Sequence, residues 1–310
     1  MFWKNVLIAG EQVIILYLMA FIGVIAAKTG IFSQDTAKKC TNLLFYVITP
    51  AKILESFFTL EYSIEHIKGL LIAVGCGLLM HAVAALAITP FFNKSAPEQK
   101  TVYKFAAMYG NCGYMGLPLV DAVVGKEGVF YCSAVIISFQ IVSFTHGVWL
   151  MTKDKNEGKS QVDLKRIILN PGVLPVFVGL PVFLLSLSLP NLIMTPVKSI
   201  ASMNSPLAML IFGTFIAGTD FKSIFRQWRI PCVALFKLIF MPLAMLTALK
   251  LCGVAGALGT TLLITSAAPS ANNTIMFAAK YDNDAGLASQ AVSVISLISI
   301  ITLPVMIALL

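Results

Sequence analysis

Ten apolar runs of membrane-spanning length dominate this chain of 310 residues, near 6–27, 40–59, 67–90, 102–123, 128–151, 167–188, 193–217, 230–250, 256–280 and 284–309. A bilayer core takes about 20 apolar residues per helix. Within hydrocarbon every backbone polar group must find a partner inside the protein, which restricts spanning segments to helices or closed barrels. Runs this long are helical in length, and only 12% of the residues are charged, where a soluble domain carries roughly 25%. The expectation is an all-α membrane protein of ten transmembrane helices. The first run is long and lacks a small-residue cleavage pattern, so it reads as a retained helix rather than a secretion signal.

The formal charge of +8 could suggest nucleic acid or acidic partners, but its distribution points elsewhere. Fifteen of the 22 basic residues fall in alternate connections, at Lys28, Lys38, Lys39, Lys94, Lys100, Lys104, Lys153, Lys155, Lys159, Lys165, Arg166, Lys222, Arg226, Arg229 and Lys280. Five lie on the opposite side (Lys4, Lys68, Lys126, Lys198 and Lys250), and Lys52 and Lys237 fall inside helices. The positive-inside rule then places both termini outside the cytoplasm, in a cell inner membrane, with no nucleic-acid partner implied. The six cysteines lie mostly in apolar segments without CxxC or metal spacing and read as small packing residues; no metal or cofactor is expected.

Two of the ten runs are interrupted. Leu262 to Asp282 reads LLITSAAPSANNTIMFAAKYD, apolar until Ser266, then broken at Pro269 with Asn272 and Asn273 beside it. Residues 105–123 read FAAMYGNCGYMGLPLVDAV, with Gly110, Asn111, Gly113, Gly116 and Pro118 inside an otherwise apolar span. Proline has no amide hydrogen and its ring displaces the preceding turn, so a break or kink is expected at Pro269 and Pro118. A pair of Pro/Gly-broken hydrophobic segments, one in each half, is the best sequence pointer to a transporter's substrate site.

The single long polar stretch, residues 152–166, divides the chain into 1–151 and 167–310, five helices each. Thr49-Pro50 corresponds to Ser205-Pro206 at an offset of 156, and Pro118 to Pro269 at an offset of 151. An odd helix number per half makes the repeats inverted, which brings both broken helices to one centre. Each break offers a half-helix N-terminus with free amides, suited to a carboxylate, and a C-terminus with free carbonyls, suited to a cation or polar substituent.

The strings Gly-Asn111-Cys-Gly-Tyr-Met-Gly116-Leu-Pro118-Leu, Asn170-Pro171-Gly172, Pro269-Ser-Ala-Asn272-Asn273, Ala-Lys280-Tyr281, Leu287-Ala288-Ser289 and Leu303-Pro304 resemble the auxin efflux carrier family. That family includes plant PIN-type auxin carriers and bacterial permeases linked to malate or malonate, and the size of this chain suggests a bacterial member. The resemblance implies a scaffold built from the first two helices of each repeat and an elevator-like transport domain built from the other three. It implies that the fourth and ninth helices cross at their prolines, with Asn111, Gly116, Pro118, Pro269 and Asn272 or Asn273 at the substrate. A homodimer through the scaffold is a further implication. The central loop is short, so the loop-based regulation of plant carriers is not expected.

Several side chains carry two readings. Asn111 either donates to a substrate carboxylate or caps the restarted half-helix. Asn272 and Asn273 point about 100° apart on a helix, so one is expected to meet substrate and the other to hold the break. Lys52 and Glu55, three apart, share a face and serve either as a charge sensor or as a structural pair. His81, deep in the third helix, is either a group for proton coupling or a satisfied packing histidine, and Asp121, near the outer mouth, either a proton carrier or a solvated helix end. His146 is a weaker candidate, and Lys237 is expected to snorkel towards the inner interface. Gln290, Ser293, Ser296 and Ser299 form one polar stripe on the tenth helix, either helix-packing hydrogen bonds or, with Thr274, a place for a cation. The coupling ion is left open between H+ and Na+.

An exchanger of related fold would need carboxylates inside the fifth helix, and residues 128–151 have none. No GxSG motif or deep aspartate pair suggests an enzyme. The expectation is a secondary carrier of a small organic anion, a mono- or dicarboxylate. The alternative is a sodium-coupled organic-anion symporter of the bile-acid transporter type.

Overall fold

The computed structural model describes residues 2–153, 168–218 and 227–309. The described residues are mostly helical. Helix α1 is Phe2–Lys28; α2 runs through Gln34–Leu43, Leu44–Ile48 and Thr49–Thr59; α3 is Ile64–Ile88. Helix α4 comes in two pieces, α4a (Pro97–Met108) and α4b (Cys112–Val123), and α5 is Lys126–Thr152. Then follow α6 (Leu174–Leu184), α7 (Asn191–Ala217) and α8 (Arg229–Leu251), with a two-residue turn inside α7. Helix α9 is again in two pieces, α9a (Gly256–Ala267) and α9b (Asn273–Lys280), and α10 is Ala285–Ala308. Five of these, α3, α5, α7, α8 and α10, are individually long and apolar enough to cross a membrane. The protein is a multi-pass, all-helical membrane protein. Most of the polar stretch 152–166 lies outside the described residues.

Helix α2 starts six residues before the apolar run that announced it. Ser33 accepts a hydrogen bond from the Thr36 amide at 3.2 Å, an N-cap that lets the polar segment from Gln34 join the helix. Leucines and isoleucines such as Leu71, Leu79, Leu86 and Ile301 face outward, as lipid contact requires. The interior is packed by α4, α5, α9 and α10, with Phe105, Tyr109, Phe130 and Phe277 fully or almost fully buried.

Helix pairs approach closely through glycine. A Cβ on Gly213 of α7 would collide with the Ala20 carbonyl of α1, and one on Gly23 of α1 would collide with the backbone of Leu210. Likewise a Cβ on Gly179 of α6 would stand 2.7 Å from Phe57 Cβ of α2. Small residues that let backbones touch are the usual packing device in lipid, where apolar helices gain little from hiding from water.

Pro118 does not break its helix. The interruption in α4 lies at Tyr109–Asn111, seven residues earlier, and the chain is helical again from Cys112 through Val123. The residues before Pro118, Cys112–Gly116, form a widened π-turn. The same turn precedes Pro50 at Leu44–Ile48 and Pro242 at Phe236–Phe240. A proline ring clashes with the carbonyl four residues back, here Tyr114, Tyr46 and Leu238, each midway along a π-turn. Widening the turn absorbs the clash without ending the helix. Pro269, by contrast, sits in the non-helical link between α9a and α9b, as expected.

Candidate site at the paired helix breaks

The two interruptions meet. Gly110 and Ser270 form an antiparallel bridge, the one β-type pairing among the described residues. The Asn111 amide donates to the Pro269 carbonyl at 2.6 Å, and the Ala271 amide donates to the Tyr109 carbonyl at 2.8 Å. Two side chains complete the arrangement: Ser270 Oγ donates to the Ala106 carbonyl at 2.6 Å, and Lys237 Nζ to the Ser266 carbonyl at 3.0 Å. The C-terminal end of each first half-helix is thus held by one backbone donor and one side-chain donor. An orphaned backbone group at this depth costs several kcal/mol, so this pairing is what makes the breaks tolerable. The bridge joins Gly110, eight residues before Pro118, to Ser270, one residue after Pro269.

The restarting half-helices leave donors exposed. Asn111 Oδ1 accepts from the Tyr114 amide at 3.1 Å, so the capping role is real. Its Nδ2 has no hydrogen-bond partner among the described residues, and neither do the backbone amides of Asn272 and Asn273. Asn111 and Asn272 line two cavities. One is small, about 30 Å³, and also touches Thr49, Gly110, Gln140, Gly172 and Asn273. The other, about 560 Å³, extends between α2, α7, α10 and the half-helices to Gln34, Lys38 and Gly218 at the end rich in basic connections. Asn272 lines both cavities and Asn273 only the smaller.

The remaining expected residues fall in three groups. Gly116 and Pro118 are buried in α4b and line neither cavity. Lys52 pairs with Glu55 at 3.0 Å, as its spacing suggested, and also with Asp121 of α4b at 2.9 Å, a contact the sequence did not reveal. His81 is buried, its Nδ1 donating to the Gly77 carbonyl at 2.6 Å and its Nε2 without a partner among the described residues. Its ring lies against Tyr109, whose hydroxyl sits 2.9 Å from His146 Nδ1.

The α10 stripe divides. Ser293 and Ser296 line the larger cavity, joined there by Ser289 from outside the stripe, while Gln290 does not. Ser299 donates to the Ser296 carbonyl at 2.6 Å, and Tyr17 of α1 donates to the Ser299 carbonyl at 3.4 Å, which is packing chemistry. Thr274 Oγ1 is buried and unpartnered among the described residues.

Three residues stand at the site where the sequence did not place them. Gln140 of α5 donates to Asn170 Oδ1 at 3.0 Å, its own Oε1 buried and unpartnered beside the small cavity. Asn170 also accepts from the Gly172 amide at 2.9 Å, which ties the start of α6 to the site. Lys237 does not snorkel. It is 0% exposed, turned into the protein from the π-turn of α8 against the paired breaks.

A family model described as "Membrane transport protein" matches residues 8–307. The chain belongs to that family. It is the auxin efflux carrier family that the break motifs resemble. The chain is similar to an uncharacterized transporter of Methanocaldococcus jannaschii, 23% identical over 94% of this chain and 96% of the relative. It is also similar to a Rhizobium meliloti protein named "Putative malonate transporter", 23% identical over 92% of this chain and 90% of that one. Membership in this family makes the protein a membrane-embedded transporter with a small-molecule substrate.

Proposed function

We propose that this protein is a secondary carrier of a small organic anion, a mono- or dicarboxylate, that works by alternating access with substrate held at the paired breaks. The observation that carries this reading is the reciprocal pairing of Asn111 with Pro269 and Ala271 with Tyr109. It fixes two half-helix N-termini and two side-chain amides around one cavity. Helix N-termini present amide donors and partial positive charge to an anion. The larger cavity, about 560 Å³, lies within the range that holds small ligands, and Lys38 at its mouth adds charge of the right sign. The malonate named for the Rhizobium relative is a dicarboxylate of suitable chemistry.

The wider architecture in this proposal is ten spans in two inverted repeats, 1–151 and 167–310. Gly23 of α1 abuts α7, and Gly179 of α6 abuts α2, so the first helix of each half packs on the second helix of the other. These two glycines lie 156 residues apart, the offset of Pro50 and Pro206. Asn204 Nδ2 donates to Thr49 Oγ1 at 3.1 Å where the two second helices meet. Those contacts suit a scaffold of α1, α2, α6 and α7 against which α3–α5 and α8–α10 move. With basic connections inside, the larger cavity opens to the cytoplasm and both termini lie outside.

Reconstituted protein tests the reading. Liposomes loaded with unlabelled carboxylate should show saturable counterflow of labelled malonate or a related acid, and Asn111→Ala should lower it at least tenfold with the folded protein retained. Conductance far above carrier rates, or wild-type counterflow in Asn111→Ala, would contradict it.

A further inference from the structure

We infer that Lys237 is the built-in cation of this site. Its ammonium holds the carbonyl side of the paired breaks, where a sodium-coupled carrier would seat a metal ion, so transport proceeds without sodium. This inference rests on the carrier reading above.

Broken transporter helices present two kinds of end: N-termini that attract anionic groups, and C-termini and unwound carbonyls that coordinate a coupling cation. In this protein the second place is filled. Helix α9a ends at Ala267, and Lys237 Nζ donates to the carbonyl of Ser266 in its last turn, at 3.0 Å. A Cβ on Gly110 would lie 2.7 Å from that nitrogen and 3.3 Å from the Ala268 carbonyl, so the ammonium is packed against the bridge residue itself. Gly110 lines the small cavity and precedes Asn111, so the charge stands directly behind the anion-facing amides.

The lysine is poorly compensated otherwise. It forms no ion pair among the described residues; Glu55 and Asp121, the acids of α2 and α4b, are engaged by Lys52. The titratable groups that face it are Cys112 of α4b and His81 of α3, neither an anion partner of the carboxylate kind. A fully buried cation held by carbonyl dipoles alone is expensive. A carboxylate arriving on the other side of the bridge supplies the missing counter-charge. Lys237 is therefore a positioning residue: it raises affinity for an anion through the bridge. The π-turn at Phe236–Phe240 re-aims one residue of α8, as such turns often do at functional sites.

The test uses full-length protein in proteoliposomes and in detergent, with labelled malonate and a panel of small carboxylates as probes. Wild-type uptake should be equal in sodium, potassium and choline chloride, and the melting temperature of the detergent-solubilised protein should be equal in the sodium and potassium salts. Lys237→Met should raise KM for the carboxylate at least tenfold with a smaller change in maximal rate, and Lys237→Arg should restore part of the affinity. Uptake that requires sodium, or a sodium-specific rise in wild-type melting temperature, overturns the inference without any variant having to fold. So does an unchanged KM in Lys237→Met alongside loss in Asn111→Ala, an outcome that leaves the carrier reading standing. Unchanged uptake in both variants would instead remove the substrate site from the breaks.

Discussion

Lys52 shows how one side chain can serve two acids. Its ammonium lies 3.0 Å from Glu55 and 2.9 Å from Asp121, and all three side chains are largely shielded. Removing the lysine leaves two carboxylates without a cation, whereas neutralising Asp121 leaves a one-to-one pair with Glu55. Lys52→Met is therefore expected to cost on the order of 2 kcal/mol, between exposed and fully buried pairs, and Asp121→Asn clearly less. Thermal melting of the purified variants checks the order; an Asp121→Asn variant as unstable as Lys52→Met would refute it. The Lys52–Glu55 half of this cluster was legible from spacing along one helix. The Asp121 half was not, because it depends on how α4b lies against α2. Lys237 was misread for the same reason. Hydropathy places a lysine near a helix end but not on the face that meets the breaks, and the π-turn that turns it inward has no sequence mark beyond the Pro242 that follows.

At the scale of elements, the breaks in α4 and α9 were readable because glycine, proline and asparagine interrupt runs that are otherwise apolar. Their positions were readable only in α9. In α4 proline drew attention to residue 118, yet the widened turn of Cys112–Gly116 accommodates its ring and the break falls at Tyr109–Asn111. The partners of the broken ends fix that location. Ser270 Oγ satisfies the Ala106 carbonyl at 2.6 Å, so Ser270→Ala should leave a buried acceptor bare at a cost of about 1–3 kcal/mol. Pro118→Ala restores an amide and relieves a clash already absorbed, and is expected to change the melting temperature less. If Pro118→Ala unfolds the protein while Ser270→Ala leaves it unaffected, the break has been assigned to the wrong place.

The whole molecule is held together where helices from the two halves touch. Gly213 lets α7 lie on the Ala20 carbonyl of α1, and Gly179 lets α6 lie on Phe57 of α2. Gly213→Leu must push these helices apart; overpacking of a tight contact costs typically 1–3 kcal/mol, and a contact against backbone rather than a yielding side chain stands at the severe end. The expected result is a lower melting temperature and less monodisperse protein, and wild-type melting would show that α1 and α7 do not pack this way. Ten apolar runs announced the helices, but these pairings come from glycines that a hydropathy pattern does not distinguish from any other small residue.

Calorimetric titration of the purified carrier with a panel of mono- and dicarboxylates, malonate included, bears most directly on the claim that the paired breaks hold the anion. The account predicts that at least one carboxylate binds the wild type, and that both Asn111→Ala and Asn272→Ala weaken it tenfold or more while remaining folded. Binding of that carboxylate at wild-type affinity in both variants would contradict it.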